Sequence, residues 1–257
     1  MIKIEKVVTP SGEQWDAIIR GMRNPKNSWD RMDSDYRYDC RDDIHKCPKG
    51  GYRLGPNDHE LMTKLARGGA VHAKYRRTIT VYLDITAPLY WWKEFDTYKV
   101  GTVSNSCSTM HKIHEKVFTL EDFSHEHLVE DMFDEVDFAY PNDEGGYDSW
   151  TPCAVLSLVV SALNEAREQY LIADEKLKRK DLTDAERKHV TAQKKHYWWQ
   201  MIQLLPSSYN QKRTIMLNYE VLVGMYRDRK THKLDEWKEL CKWIETLPYS
   251  ELITGGK

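Results

Sequence analysis

The sequence lacks the features that mark several large classes of protein. Only 5 of its 257 residues are cysteine, so no disulfide framework is expected. Its 38 Lys and Arg nearly balance 40 Asp and Glu, and a net charge of -2 provides no broad basic surface for nucleic acid. Its apolar runs are far shorter than a membrane span, and the opening "MIKIEKVVTPSGEQW" has no signal-peptide region. We therefore expect a soluble cytoplasmic protein with neither a membrane nor a nucleic acid as partner.

Phenylalanine is also scarce, with 5 residues, whereas tyrosine and tryptophan are plentiful, with 15 and 9. Tyrosine and tryptophan combine apolar area with a polar tip, which suits interfaces and partly wet pockets. The chain is 40% hydrophobic and long enough to bury one large core or two small ones. The composition favours a globular protein that uses polar aromatic side chains at a pocket or an interface.

Apolar periodicity and capping residues predict an α+β fold, in which helices pack around a small sheet. Alternating side chains predict strands at "IKIEKVV" and at "RRTITVYLDIT", the second ending at Ala87-Pro88. "QKRTIMLNY" is expected to be a strand or an extended segment. Residues 24–57 are expected to be irregular, and residues 121–150 to form a helix and then a loop. Helical spacing predicts helices in "TPSGEQWDAIIRGMRN", "PNDHELMTKLARGG", "PLYWWKEF", "AVLSLVVSALNEAREQYLIADEKLKRKDL", "TDAERKHVTAQKKHYWWQMIQLL", "EVLVGMYRDRK" and "LDEWKELCKWIETL".

Small hydroxyl side chains are concentrated directly after the apolar segment "PLYWWKEF". The stretch "EFDTYKVGTVSNSCSTMHKI", residues 94–113, combines several Ser and Thr with one Asn, one Cys and Lys99. A loop in solvent is one interpretation. A pocket that binds a polar ligand is the other.

Three segments, in the same order along the chain, resemble the flavin-dependent thymidylate synthases. One is a strand, an Ala-Pro pair, an aromatic helix and the polar stretch, "ITVYLDITAPLYWWKEFDTYKVGTVSNSCSTMHKI". Another is His72, at the place of a family histidine before the strand. In the third, "LPSSYNQKRTIMLNYEVLVGMYRDRKTHKLDEW", the family order is matched by Leu205-Pro206, Asn218, Arg229, His232 and Glu236. The resemblance covers roughly residues 54–115 and 200–248, and implies a single domain over 1–257 with a helical insertion at about 120–200.

The resemblance implies a thymidylate synthase-like fold and a flavin-dependent transfer of a one-carbon unit from methylene-tetrahydrofolate to C5 of a pyrimidine nucleotide, dUMP or a relative. It also implies FAD as cofactor, NADPH as a further co-substrate, and a homotetramer with FAD at subunit junctions. In such enzymes the flavin supplies the difficult chemistry, while the protein binds and orients. The alternative is a non-catalytic nucleotide- or flavin-binding protein that keeps the scaffold.

Many signature residues of the family are replaced in this sequence. In register, the family's Arg-His-Arg falls on Thr97, Tyr98 and Lys99, and its first Ser falls on Thr102. The family's Asn-Glu pair falls on Ser104 and Asn105. Its second Ser falls on Cys107 and its final Arg on Thr109. Glu220 stands where the family has an arginine for the nucleotide phosphate. Three explanations stay open: the substrate differs, other cations such as Arg76 and Arg77 on the strand take over, or the reaction is lost.

The remaining polar residues suit ligand binding. Lys99 and Arg229 can contact phosphates, Lys as a point charge and Arg as a fork. The cofactor-binding candidates implied by the resemblance are Tyr98, Lys99, Asn218, Arg229 and His232. The substrate-binding candidates come from the hydroxyl-rich stretch and are Thr102, Ser104, Asn105, Ser106, Ser108 and Thr109.

Cys107 and His72 are the catalytic candidates. A thiolate at Cys107, helped by Lys99 or His111, would attack C6 of a pyrimidine. His72 would face the pyrimidine or the flavin. The alternative for Cys107 is a small buried thiol in a serine-sized space.

Two further segments carry metal-ligand side chains, but neither predicts a metal site. "CRDDIHKC", Cys40 to Cys47, is loosely spaced for zinc and is otherwise a solvated loop. "HEKVFTLEDFSHEHLVEDMFDEVDFAY" lacks the Glu-x-x-His repeat of a di-metal helical bundle, so an acidic solvent face is expected.

Overall fold

The computed structural model describes residues 2–38, 50–130 and 139–255, and these residues form an α+β fold. The described helices are α1 (Gly12–Arg23), α2 (Pro56–Arg67), α3 (Leu89–Phe95), α4 (Pro152–Leu177), α5 (Asp184–Leu204), α6 (Tyr219–Arg229), α7 (Asp235–Glu245) and α8 (Glu251–Thr254). The described strands are β1 (Lys3–Val8), β2 (Asp35–Tyr38), β3 (Gly50–Arg53), β4 (Thr80–Pro88), β5 (Val103–Ser106), β6 (Ala139–Pro141), β7 (Tyr147–Ser149) and β8 (Asn210–Asn218). The prediction of a small sheet with packed helices is confirmed.

Two compact units make up the described chain. The sheet unit contains the described residues of Ile2–Thr86, Glu94–Asn105 and Lys212–Lys257. The helical unit contains those of Ala87–Lys93 and Ser106–Gln211, and the expected insertion at 120–200 lies within it.

The four-stranded sheet has the strand order β1-β4-β8-β5. Alternation along β4 buries one face, made of Val81, Leu83 and Ile85. β1 pairs with β4 in antiparallel register, with a bulge between Glu5 and Val8. β4 ends at Pro88 as predicted, because proline has no N–H to donate to a neighbouring strand.

Helix α1 packs its apolar stripe into the sheet unit, with Trp15, Ile18, Ile19 and Met22 buried. A capping box starts this helix. The Ser11 hydroxyl accepts from the Gln14 N–H at 3.3 Å, and the Gln14 side chain accepts from the Ser11 N–H at 2.8 Å. The sequence predicts Ser11 or Thr9 as the cap of this helix, and the structure has Ser11.

Asp58 accepts hydrogen bonds from residues between α1 and α2. Its carboxylate is fully buried and accepts from Arg23 Nε at 2.5 Å and from the backbone N–H groups of Asp33 and Ser34 at 3.0 and 2.9 Å. The described residues of the segment predicted to be irregular include the 3-10 helices Asn24–Lys26 and Trp29–Arg31 and the antiparallel strand pair β2–β3. Long-range hydrogen bonds to Asp58 therefore hold the polar residues Asp33 and Ser34 in place.

Helices α4 and α5 pack against each other in the helical unit. The apolar core of this unit comprises Ile113, Phe118, Phe123, Leu156, Val160, Leu163, Ala166 and Met201. The opening "TDAE" of α5 predicts a capping box of Thr183 with Glu186, and the structure confirms it. A helix and then a loop were expected in 121–150. The described residues there include the end of the 3-10 helix Leu120–Asp122 and, where the loop was expected, the paired strands β6 and β7, while residues 131–138 lie outside the described residues. Among the described helices, none has the length and apolar character needed to cross a membrane.

Candidate functional site

A cavity of about 860 Å³ lies in the sheet unit between α1, the end of α2 and the 3-10 helix Ala73–Thr78. Ile18 and Met22 of α1 form part of its wall, and Leu65 of α2 contributes a further apolar side chain. Ligand pockets in proteins commonly enclose roughly 300–1,000 Å³ behind apolar walls with a few polar groups. The cavity is therefore large enough for an organic ligand of cofactor size.

The polar lining of this cavity is basic. Lys26, His72, Lys74 and Arg77 line it, and none of its described lining residues is Asp or Glu. Without a carboxylate to neutralise them, the cations Lys26, Lys74 and Arg77 favour an anionic ligand. Arg77 offers a planar fork for a phosphate, and the lysines offer point charges.

Tyr75 fixes the 3-10 helix that carries most of these cations. Its ring is buried, and its hydroxyl donates to the Met62 carbonyl at 2.8 Å. Burial raises the pKa of Tyr75 to about 12, so the hydroxyl stays protonated and keeps this bond. The N–H groups of His72 and Ala73 both donate to the Gly69 carbonyl, and this turn leaves the His72 side chain exposed at the cavity.

A second polar site, the Glu94 cluster, consists of Glu94, Tyr98, Arg229, His232 and Trp237 in the sheet unit. Arg229 donates from Nη1 to Glu94 Oε2 at 2.7 Å and from Nε to the Tyr98 hydroxyl at 2.9 Å. Trp237 Nε1 donates to the same Glu94 oxygen at 3.0 Å, and His232 Nε2 lies 3.4 Å from it. Three predicted cofactor residues thus converge, but around a carboxylate of the chain itself.

The other two predicted cofactor residues lie elsewhere. Asn218 caps α6, because its side-chain oxygen accepts from the Val221 N–H at 3.1 Å. Gly101 packs closely on this cap with φ of +79°. Lys99 is exposed.

The predicted substrate-binding stretch lies on and after the edge strand β5. The exposed residues of this stretch are Ser104, Asn105, Ser106 and Ser108. Thr109 is half-buried. The Thr102 hydroxyl is buried and has no hydrogen-bond partner among the described residues. An unpaired buried hydroxyl costs free energy, so Thr102 is the member of the stretch that gains most from a ligand or water.

Glu220, which stands at the place of a family phosphate-binding arginine, lies near a compensating cation. Arg76 Nη1 is 3.9 Å from Glu220 Oε2, and the two side chains are 9% and 26% exposed. The predicted placement of Arg76 and Arg77 on the strand is wrong. Both lie in the 3-10 helix Ala73–Thr78, whose last residue donates its hydroxyl to the Tyr75 carbonyl at 2.6 Å. Arg76 faces Glu220, and Arg77 lines the cavity.

Cys107 is an exposed free thiol in this chain, not a buried one. Its backbone carbonyl accepts from Gln211 Nε2 at 2.9 Å. In the part of the chain that the structure describes, no three His, Cys, Asp or Glu side chains converge to hold a metal. The Cys40 to Cys47 segment lies outside the described residues.

Sequence reasoning placed His72 at a site and named Arg77 as a possible replacement cation, but it missed Lys26 and Lys74 in the cavity. Lys74 follows His72 by two residues and was the available signal. Glu94 and Trp237 were also missed. Glu94 lies 135 positions from Arg229 and 143 positions from Trp237 in the sequence, so no local pattern brings these residues together. Their helices were predictable, but the meeting of their side chains depends on the fold.

The arrangement of these elements defines a class: the chain has the fold of the flavin-dependent thymidylate synthases, as the resemblance predicted. It is similar to thymidylate synthase X (ThyX) from Helicobacter pylori, solved with FAD and dUMP, with 14% identity, a TM-score of 0.52, and coverage of 99% of this chain and 96% of that chain. It is also similar to the UMP/dUMP methylase PolB from Streptomyces cacaoi, solved with 5-Br dUMP, with 14% identity, a TM-score of 0.50, and coverage of 100% and 96%. No protein-family model and no curated protein matches the chain.

Proposed function

We propose that the protein is a flavin-dependent enzyme that transfers a one-carbon unit to C5 of a pyrimidine nucleotide, dUMP or a relative. One observation carries the proposal. A chain with the thymidylate synthase X fold has an 860 Å³ cavity whose described lining residues include four basic side chains and no acidic one. Both a flavin dinucleotide and a nucleoside monophosphate present phosphate groups, which such a lining attracts.

The cavity fits the chemical demands of FAD. The pyrophosphate needs cations, which Lys74 and Arg77 supply, and the apolar part of the cofactor needs a wall such as that formed by Ile18 and Met22. Bound FAD would supply the redox chemistry, and the chain would bind and orient the reactants. His72, at the same cavity, is placed to contact a bound ring.

The remaining site assignments belong to the proposal as well. Cys107 and His72 are its catalytic candidates, and the hydroxyl-rich stretch from Thr102 to Thr109 is the candidate contact for the nucleotide. Tyr98, Lys99, Asn218, Arg229 and His232 do not line the cavity and stay the further cofactor-binding candidates that the resemblance implies. Methylene-tetrahydrofolate and NADPH are the proposed co-substrates. A cytoplasmic homotetramer is the proposed assembly.

A non-catalytic nucleotide- or flavin-binding protein is the second candidate, and the Glu94 cluster favours it. Arg229 is already neutralised by Glu94 at 2.7 Å, and the family's first Arg-His-Arg is replaced at Thr97, Tyr98 and Lys99. A chain that binds a ligand without reacting could tolerate both changes.

The first experiment is the absorption spectrum of the purified protein, before and after addition of excess FAD and removal of unbound cofactor. We expect a retained flavin band in the wild type and its loss or strong reduction in Arg77→Gln. Arg20→Gln is the matched control, since Arg20 is an exposed arginine of α1 that does not line the cavity. No retained flavin at any concentration would overturn the flavoenzyme, and retained flavin without turnover of dUMP or other pyrimidine nucleotides would support the binding protein.

Replacement of Cys107 by Ser tests its role as nucleophile once activity is measured. Loss of several orders of magnitude in kcat would identify a nucleophile, because removal of a true nucleophile eliminates most of the rate enhancement. Nearly intact activity would leave catalysis to the flavin and to other residues.

A further inference from the structure

The end of the hydroxyl-rich stretch is tied to α4 and α5 through its backbone. Residues 106–109 carry three of the substrate-binding candidates and belong to the helical unit. In the turns that follow, Trp198 Nε1 of α5 donates to the Met110 carbonyl at 2.8 Å, and Arg167 Nε of α4 donates to the His114 carbonyl at 2.9 Å. Side chains of both long helices therefore hold the chain just beyond these candidates.

The same segment is fixed again a few residues further on. Ile113 is 4% exposed and belongs to the apolar core of the helical unit. Asn164 of α4 accepts from the Phe118 N–H at 2.8 Å and donates to the Phe118 carbonyl at 2.9 Å. The backbone on both sides of His114 is thus held against α4.

The imidazole of His114 packs against α4 as well. The centre of its ring lies 4.5 Å from the centre of the Tyr170 ring, and its Nδ1 is buried without a hydrogen-bond partner in the part of the chain that the structure describes. A neutral imidazole can leave Nδ1 without a hydrogen, whereas an imidazolium carries an N–H on both nitrogens. Protonation would leave a buried N–H donor unpaired at Nδ1, which costs free energy.

Lys194 of α5 brings a positive charge to the same aromatic ring. Its Nζ lies 4.8 Å from the centre of the Tyr170 ring, and it forms an ion pair with Asp174 of α4. Lys178 Nζ lies 3.8 Å from the other carboxylate oxygen of Asp174. The nearby carboxylate of α4 is therefore already paired with lysines and offers an imidazolium at His114 little compensation.

The charged neighbours of His114 on its own segment are Lys112 and Glu115, which pair with each other. Burial is the largest influence on His114 and disfavours its charged form. Together with the two lysines, Lys112 and Lys194, it outweighs the attraction of the two carboxylates. The pKa of His114 is therefore below its ordinary value of 6.5.

We propose that His114 is a positioning residue, whose neutral ring on Tyr170 completes the attachment of segment 106–118 to α4 and α5 and so fixes the substrate-binding candidates at its start. When His114 is protonated, its ring leaves Tyr170 and the segment loosens. The identity of the bound molecule rests on the proposed function, in which these candidates contact the nucleotide. The attachment itself needs no ligand and can be measured in the free protein.

The direction of the pH effect follows from the two states of the segment. The released His114 has the ordinary histidine pKa and binds a proton more readily than the attached one. The attachment is therefore strongest above about pH 6.5 and weakens as the pH falls below that value. One pH unit lower, a released imidazole is protonated about ten to one, so the attachment should weaken several-fold and at most about tenfold.

The test is hydrogen exchange of the full chain, followed by mass spectrometry of peptides from segment 106–118 at about one pH unit above and one below the ordinary histidine pKa. Each rate is divided by the intrinsic exchange rate at that pH. Protection of the wild-type segment should fall several-fold in acid. His114→Phe keeps a ring beside Tyr170 that takes no proton, so its protection should not change. His111→Gln replaces an exposed histidine of the same segment and should behave as the wild type.

A second variant carries the test if His114→Phe does not fold. Lys194→Met removes a cation and leaves Asp174 to stabilise an imidazolium, so the acid loss of protection should shrink. Equal protection of the wild type at both pH values would overturn the proposal. An acid loss that persists unchanged in His114→Phe or in Lys194→Met would also overturn it.

Calorimetric titration with dUMP at the same two pH values distinguishes failure of this proposal from failure of the proposed function. The phosphate of dUMP itself titrates near pH 6, so the comparison is between proteins. The acid loss of affinity should be several-fold larger in the wild type than in His114→Phe, and equal losses would overturn the positioning role. If dUMP binds neither protein while the acid loss of protection depends on His114, the attachment is supported and the proposed substrate is wrong.

Discussion

At the scale of single residues, Asp58 has the largest expected effect on stability. It is fully buried with Arg23, which is 3% exposed, and it also accepts from the Ser34 hydroxyl at 2.6 Å. We expect Asp58→Asn to lower the free energy of unfolding by about 3–5 kcal/mol, because it leaves a buried guanidinium uncompensated. Urea denaturation measures this, with Asp16→Asn as control. Asp16 pairs with Arg20 on the exposed face of α1, so its loss should cost at most about 0.5 kcal/mol.

The same carboxylate predicts a pH dependence of stability. Burial of Asp58 opposes its ionisation, but hydrogen bonds from Ser34, Asp33 and Arg23 outweigh burial and hold its pKa below the ordinary value. The unfolded chain therefore binds the proton more readily. The stabilisation is fully present above about pH 5 and is lost as pH falls through the lowered pKa. The difference in stability between wild type and Asp58→Asn should shrink in acid, and a constant difference would contradict this account.

Residue-scale predictions from sequence succeeded where the relevant neighbour was local. The cap of α5 was recognised because Glu186 follows Thr183 by three positions, and the cap of α1 was narrowed to Ser11 or Thr9 by their place before the helix. The partner of Arg229 could not be recognised in this way. Glu94 is its partner only in the folded chain, because the two residues lie 135 positions apart in the sequence.

At the scale of elements, the start of α6 depends on a close approach of backbone to side chain. A Cβ on Gly101 would lie 2.8 Å from Asn218 Nδ2, and the φ of +79° there is unfavourable for other residues. We expect Gly101→Ala to destabilise the protein by about 1–3 kcal/mol, through strain and damage to the α6 cap.

Gly224, within α6, is the matched control. An added Cβ there would meet nothing within 4 Å, so Gly224→Ala should stabilise by about 0.5–1 kcal/mol through helix propensity. Chemical denaturation measures the change in the free energy of unfolding for both variants. The two changes have opposite signs if the close packing at Gly101 matters. Equal effects would show that the cap is not under steric constraint.

Helices and strands with a regular spacing of apolar residues were predictable from the sequence. Elements that depend on the residues of a turn were not. The strand β4 and the helices α4 and α5 were identified from apolar patterns over many residues. The hairpin β6–β7 has only three residues in each strand, too few to show alternation. Its turn depends on Asn142, whose side chain accepts from the Gly146 N–H at 2.7 Å.

At the scale of the whole molecule, ligand binding and stability are linked. A ligand that binds only the folded chain at 100 times its Kd raises the free energy of unfolding by about 2.7 kcal/mol. We expect FAD to produce a shift of this size in the wild type and at most about half of it in Arg77→Gln, whose affinity should fall at least tenfold. Thermal unfolding with and without FAD measures the shift, and an equal shift in both proteins would place the flavin outside the cavity.

The cavity, whose described lining has no acidic side chain, also affects the rate at which a ligand binds. The whole chain carries a net charge of -2, so at long range it gives an anion no attraction. Lys26, Lys74 and Arg77 act together at close range, because all three line the cavity. Salt at physiological strength screens such a field beyond about 8 Å. Electrostatic attraction should therefore guide a phosphorylated ligand only over the last few ångströms of its approach. The association rate should fall when these three cations are removed and should change little when distant surface charges are removed.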